Sequence, residues 1–124
     1  MLMLANILVA FVALSHIGFL VLEMAFWDHP VGRRIFGMTA EQSASSKTLA
    51  ANQGLYNGFL AAGLVWGLAS GSADVKLFFL SCIVIAGLYG GLTAKRSILI
   101  TQALPAALAL ACLLVARAAG HAVE

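Results

Sequence analysis

The sequence predicts an all-α fold: an integral-membrane, up-down bundle of four transmembrane helices with a short interfacial segment between helices 1 and 2. Three observations predict it. Hydrophobic residues make up 62% of the chain and charged residues 10%. A soluble domain carries about 25% charge, so this chain is too apolar to dissolve as a monomer. Four stretches each reach the roughly 20 residues that a helix needs to cross about 30 Å of hydrocarbon. The links after the second and third stretches are short, which makes sequential helices antiparallel neighbours. Residues 1–124 form a single four-span membrane domain in this reading.

The first span runs from Leu2 to Phe26. No Lys or Arg precedes it, and it is longer than the apolar core of a cleavable signal, so it reads as a span. The loop from Trp27 to Lys47 has structure of its own. Asp28-His29-Pro30 reads as a helix start, with Asp28 as cap and Pro30 in the first turn. Val31 to Met38 lies along the membrane surface with Arg33 and Arg34 toward headgroups. Thr39-Ala40-Glu41-Gln42 fits a capping box, so the second helix starts near Ala40 and projects beyond the bilayer. Its membrane part covers about Thr48 to Ala69. Ser70-Gly71-Ser72 turns the chain into the third span, about Val75 to Thr93. Lys95-Arg96 leads into the fourth, about Ile98 to Ala116. Pro105 lacks an N–H and kinks this helix near Thr101.

Basic residues near span ends set orientation. Arg33, Arg34, Lys47, Lys95 and Arg96 share one side, against Lys76 and Arg117 on the other. Loops 27–47 and 94–97 are therefore expected in the cytoplasm, with both termini outside. Small residues recur at every fourth position: Gly54, Gly58 and Ala62; Gly63, Gly67 and Gly71; Cys82, Ala86, Gly90 and Ala94; Ala103, Ala107 and Ala111. Such stripes let helices approach closely inside a bundle, and a surplus stripe serves a homo-oligomer. Trp27 and Trp66 read as interfacial belt residues. Cys82 and Cys112 form no CxxC pair and read as small, inert side chains.

Polar side chains concentrate in the cytoplasmic half of all four spans. Asn52 and Tyr56 are i,i+4 neighbours, as are Gln53 and Asn57. His16 and Glu23 are two helical turns apart on one face of the first span. Tyr89 and Thr93 lie before Lys95; Thr101 and Gln102 lie after Arg96. Polar groups turned to lipid are costly, so they should face the bundle interior or a wet cavity. The candidate binding pocket is His16, Glu23, Asn52, Gln53, Tyr56, Asn57, Tyr89 and Gln102, with Glu23 as its ionisable switch. The structural alternative stays open. Asn57 and Gln102 can lock helices together, and Tyr56 and Tyr89 can sit in the interfacial belt. Glu23 can snorkel or pair with Arg33, Arg34 or Lys95, and His16 can be a satisfied core histidine. His29 and His121 read as solvated.

Other chemistry finds no support in the spacing. Three scattered histidines and two cysteines make no zinc set, and no metal or cofactor is expected. The Gly87–Gly91 run lies inside a span without a Walker lysine. No basic face with interleaved aromatics appears, which disfavours nucleic acid. The expected partners are membrane lipid and a small amphipathic ligand.

Glu23, Trp27, Pro30, Gly32 and Phe36-Gly37, the block Ala51-Asn52-Gln53-Gly54-Leu55-Tyr56-Asn57-Gly58, then Lys76-Leu77-Phe78 and Gln102-Ala103-Leu104-Pro105 form a pattern over essentially the whole chain. It resembles a family of short four-helix integral membrane proteins, mainly bacterial, catalogued as a domain of unknown function. The resemblance implies the four-span architecture and an inner-membrane location, and implies no activity. The leading expectation is a membrane-embedded binding protein or carrier for a small amphipathic molecule. The alternatives are an enzyme on a lipophilic substrate, with Glu23 and His16 as acid–base pair, and a structural or accessory subunit.

Overall fold

A computed structural model describes residues 1–120; His121 lies outside them. The described chain is helical, with no strand. Helices α1 (Leu2–Ala25), α2 (Pro30–Phe36), α3 (Ala40–Ser70) and α4 (Ala73–Thr93) are followed by a π-helical turn (Leu99–Ala103) that runs into α5 (Leu104–Ala118). Three helical runs are long and apolar enough to cross a membrane: α1, α4 and the continuous stretch Leu99–Ala118. The fourth expected span, in α3, is not among them. Its first turns carry Glu41, Gln42 and Lys47, and Asn52, Gln53 and Asn57 dilute the apolar run that follows. The chain divides into two compact units, one of residues 14–61 and one of residues 1–13 with 62–124.

In the unit of residues 14–61, the loop elements follow from local hydrogen bonding. The reciprocal box forms as expected: Gln42 N–H donates to Thr39 Oγ1 at 3.1 Å, and Thr39 N–H to Gln42 Oε1 at 2.9 Å. It starts α3 at Ala40. The α2 cap differs from expectation. His29, in extended backbone, caps the helix through Nδ1, which accepts from Val31 N–H at 3.2 Å. Asp28 is taken up otherwise: its Oδ1 accepts from Arg33 Nη1 at 3.0 Å and from the buried Ser43 Oγ at 2.8 Å. That ties α2 to the first turn of α3. Trp27 Nε1–H donates to Ser46 Oγ at 2.9 Å, and its ring packs on Phe36 at 4.7 Å. This tryptophan therefore fastens the loop, beyond any belt role. Farther along α3, Ala50, Gly54, Asn57 and Ala61 form a buried stripe at alternating spacings of four and three residues.

In the unit of residues 1–13 and 62–124, Ser72 caps α4 by accepting from Val75 N–H at 3.3 Å. Ala73, Lys76, Leu80, Ile83, Gly87 and Gly91 form the buried stripe of α4. This helix packs on α5 and on the π-helical turn. The contact is close because Gly87 has no side chain: a Cβ there would lie 2.6 Å from Ala103 N. The buried face of α5 is Ala106, Ala109, Leu113 and Ala116. The expected Ala103, Ala107, Ala111 stripe does not match it, since Ala107 and Ala111 are exposed. Pro105 accounts for the π-helical turn before it. A proline cannot donate to the carbonyl four residues back, and Leu104 N–H reaches instead to Leu99 O, five residues back. Cys82 and Cys112 are free thiols, both partly buried.

Lys76 counts among the basic residues near the span ends. It is only 2% exposed, and its Nζ donates to Asn6 Oδ1 at 2.9 Å. Its place on the Leu80–Ile83 stripe is the signal that it points inward. Elsewhere the long helices turn large apolar side chains outward, among them Ile7, Phe11, Phe78, Ile85, Leu92 and Leu108. A soluble monomer seldom exposes so much apolar surface.

Two outcomes are expected. Replacing Asn6 with Leu leaves the Lys76 ammonium buried without its acceptor and should lower stability by about 1–3 kcal/mol. Thermal unfolding of the full chain in detergent reads this, and adding Lys76→Met should restore part of the loss. The second concerns Asp28. The Arg33 guanidinium, then the Ser43 hydroxyl, hold its carboxyl below the usual carboxylate range. As pH falls, the unfolded chain therefore takes the proton first. The contribution is full above about pH 4 and is lost as pH falls further through the lowered value. Hydrogen exchange of segment 28–43 should loosen over that acidic range, and Asp28→Asn should remove the dependence.

Candidate functional site

The candidate centre of the 14–61 unit is the one carboxylate of a largely apolar helix. Leu20, Glu23 and Met24 of α1 meet Gly54 of α3. A Cβ on Gly54 would stand 2.7 Å from Met24 Cγ, 3.0 Å from Glu23 Cβ and 3.2 Å from Leu20 O. The missing side chain is what admits Glu23 beside α3. One turn farther, Asn57 Nδ2 donates to Glu23 Oε1 at 2.6 Å. Glu23 is 8% exposed and Asn57 7%. Ion pairs among the described residues are Arg33–Asp28 and Arg117–Asp74. Neither involves Glu23, so the ion-pairing alternative for it does not apply. An amide can serve either protonation state of a carboxyl group: its N–H donates to one oxygen in both, and its carbonyl can accept from the second oxygen when that is protonated.

His16 is fully buried on α1, two turns before Glu23, with its ring edge-on to Phe19 at 5.1 Å. His16, Glu23 and Asn57 are thus interior residues of this unit. Asn52, Gln53 and Tyr56 are not: all three are exposed on α3, and Tyr56 packs edge-on against Phe59 at 5.8 Å. The i,i+4 pairing placed Gln53 with Asn57, but the stripe of close contact passes through Ala50, Gly54 and Asn57. Tyr89 and Gln102 belong to the other unit, where Tyr89 is exposed and Gln102 half-buried. His29 is exposed and works as the α2 cap. Among the described residues no group of three His, Cys, Asp or Glu could hold a metal ion.

A second polar pair, the buried Lys76 with the half-buried Asn6, lies in the other unit, outside the residues of the candidate pocket. It joins an amide and an ammonium with no carboxylate partner among the described residues. Its chemistry therefore differs from that of Glu23–Asn57, where the ionisable group is an acid.

The sequence matches the family described as "Protein of unknown function (DUF1304)" over residues 10–114. It is also similar to "Uncharacterized protein YpaA" of Lactococcus lactis subsp. lactis (strain IL1403). The two are 35% identical over 114 residues, which cover 89% of this chain and 96% of that protein. No solved structure matches. The family match contains α2, α3, α4, the π-helical turn, most of α1 and both members of the Glu23–Asn57 pair. The chain therefore belongs to the DUF1304 family.

Proposed function

We propose that this protein is a multi-pass carrier or binding protein of the bacterial inner membrane that takes a small amphipathic molecule, with Glu23 as its ionisable switch. The observation that carries the reading is the buried Glu23 carboxyl, held by one neutral amide from Asn57. A carboxyl inside a membrane protein is expensive to keep ionised and is a functional-site hypothesis by default. Proton and cationic amphipath can then compete for one group. In this reading α3 crosses the membrane as a fourth span. Its 31 residues extend about 46 Å, longer than the hydrocarbon, so the capped first turns stand outside. The bias of basic residues supports a topology with the 27–47 and 94–97 loops in the cytoplasm and both termini outside.

His16, buried on the same helix, supports a second reading: an enzyme acting on a lipophilic substrate with His16 and Glu23 as acid–base pair. The two readings part in one experiment. The full chain is reconstituted into vesicles holding a pH-sensitive dye, and ethidium is added as a cationic amphipathic probe. Proton movement coupled to ethidium is expected with the native chain. It should fall at least about tenfold in Glu23→Gln, which keeps the shape and the Asn57 contact, and survive in part in Glu23→Asp. Equal coupling in the native chain and Glu23→Gln would remove Glu23 as the switch. Turnover of a lipophilic compound without any gradient would favour the enzyme.

A further inference from the structure

We propose that the cleft where α4 ends is a binding site for the phosphate headgroup of an anionic phospholipid, with Arg96 as its ligand. The cleft has a volume of about 500 Å³ and is lined by Gly91, Leu92, Thr93, Ala94, Arg96 and Leu99. All six belong to one unit. The site is independent of Glu23 and Asn57.

Its position follows from the chain. Residues 94–98 join two helical runs that are each long enough to cross a membrane. The link therefore sits at the level where hydrocarbon gives way to headgroups. The cleft lies where the helix beyond the link passes, after only two residues, into a π-helical turn. The π-helical turn Leu99–Ala103 widens the backbone ahead of Pro105. Gly91 leaves room for Leu99 to lie directly against α4. Local π-helical turns of this kind recur at functional sites.

Its charge selects an anion. Lys95 and Arg96 are adjacent and exposed, and neither side chain has a partner among the described residues. Asp74 is the acid of this unit's described residues. It lies in the first turn of α4, about 30 Å along the helix from the cleft, and is already paired with Arg117 at 2.6 Å. Arg96 is thus an uncompensated guanidinium in the cleft wall, suited to bidentate contact with a phosphodiester. Two leucines choose between a lipid and a dissolved phosphate. Leu92 is 80% exposed and Leu99 half-buried beside the same arginine. A free anion makes no use of them, whereas the glycerol and upper acyl chain of a lipid cover both. Basic recesses between helices at the membrane surface hold lipid headgroups by this combination.

The test uses the full chain in detergent. Short-chain phosphatidylglycerol, short-chain phosphatidylcholine and inorganic phosphate are compared by native mass spectrometry and by thermal shift. The native chain should retain phosphatidylglycerol about tenfold better than phosphatidylcholine and show no shift with phosphate. Lys95→Gln/Arg96→Gln should abolish the preference, and Arg33→Gln/Arg34→Gln should leave it intact. Ala94→Trp, which fills the cleft but keeps both charges, should abolish it too. Four results would each overturn the proposal. They are equal retention of the two lipids by the native chain, a preference that survives Lys95→Gln/Arg96→Gln or Ala94→Trp, a preference lost with Arg33→Gln/Arg34→Gln, and an Arg96-dependent shift with phosphate alone.

Discussion

The hydrogen bond from Asn57 to Glu23 sets the terms for the rest of residues 14–61. A carboxyl group 8% exposed among apolar side chains requires a partner, and one amide at 2.6 Å supplies it. For that bond to form, α3 must lie against α1 at one register. Gly54 supplies the missing side chain, and Ala50 and Ala61 keep the rest of the stripe narrow. The capping box at Thr39 and Gln42 and the clasp of Asp28 by Arg33 and Ser43 then fix where α3 begins. Local loop chemistry and one interior polar contact thus specify the same helix pair.

The other unit solves a similar problem with different groups. Lys76 replaces the acid and Asn6 is the amide, bonded through its oxygen rather than its nitrogen. Glycine again permits contact, at Gly87 against Ala103. Each unit sets a buried charged-type side chain, Glu23 or Lys76, against an asparagine and leaves its large apolar side chains outward. Such an arrangement suits lipid as solvent. Polar groups are paired inside, and attraction between helices comes from close backbone packing rather than from expelled water.

Much of this was legible in the sequence because it rests on local chemistry. Thr39-Ala40-Glu41-Gln42 announces the start of α3, and Ser70-Gly71-Ser72 its end. Pro105 marks the disturbed turn before it, though as a kink rather than as the i→i+5 bond that forms. What was not legible depends on which face of a helix meets a neighbour. Asn52, Gln53, Tyr56 and Asn57 read as one polar cluster, yet a rotation of 100° per residue turns only Asn57 inward. Lys76 resembled an interfacial charge because it stands close to the turn, although its spacing from Leu80 and Ile83 matched the buried stripe. His29 displaced Asp28 as cap because Ser43, fifteen residues away, competes for the carboxylate. A contact at that distance leaves no local signature.

The account rests on Glu23 being held inside the protein by Asn57. The most direct measurement is the dipolar coupling between the ¹³C-labelled Glu23 carboxyl carbon and the ¹⁵N-labelled Asn57 side-chain nitrogen in the full chain in lipid. A resolved coupling, of the size that a 2.6 Å approach of Nδ2 to Oε1 implies for the carbon one bond beyond, is the predicted result. Absence of coupling, together with a carboxyl signal that titrates like an exposed glutamate, would contradict it.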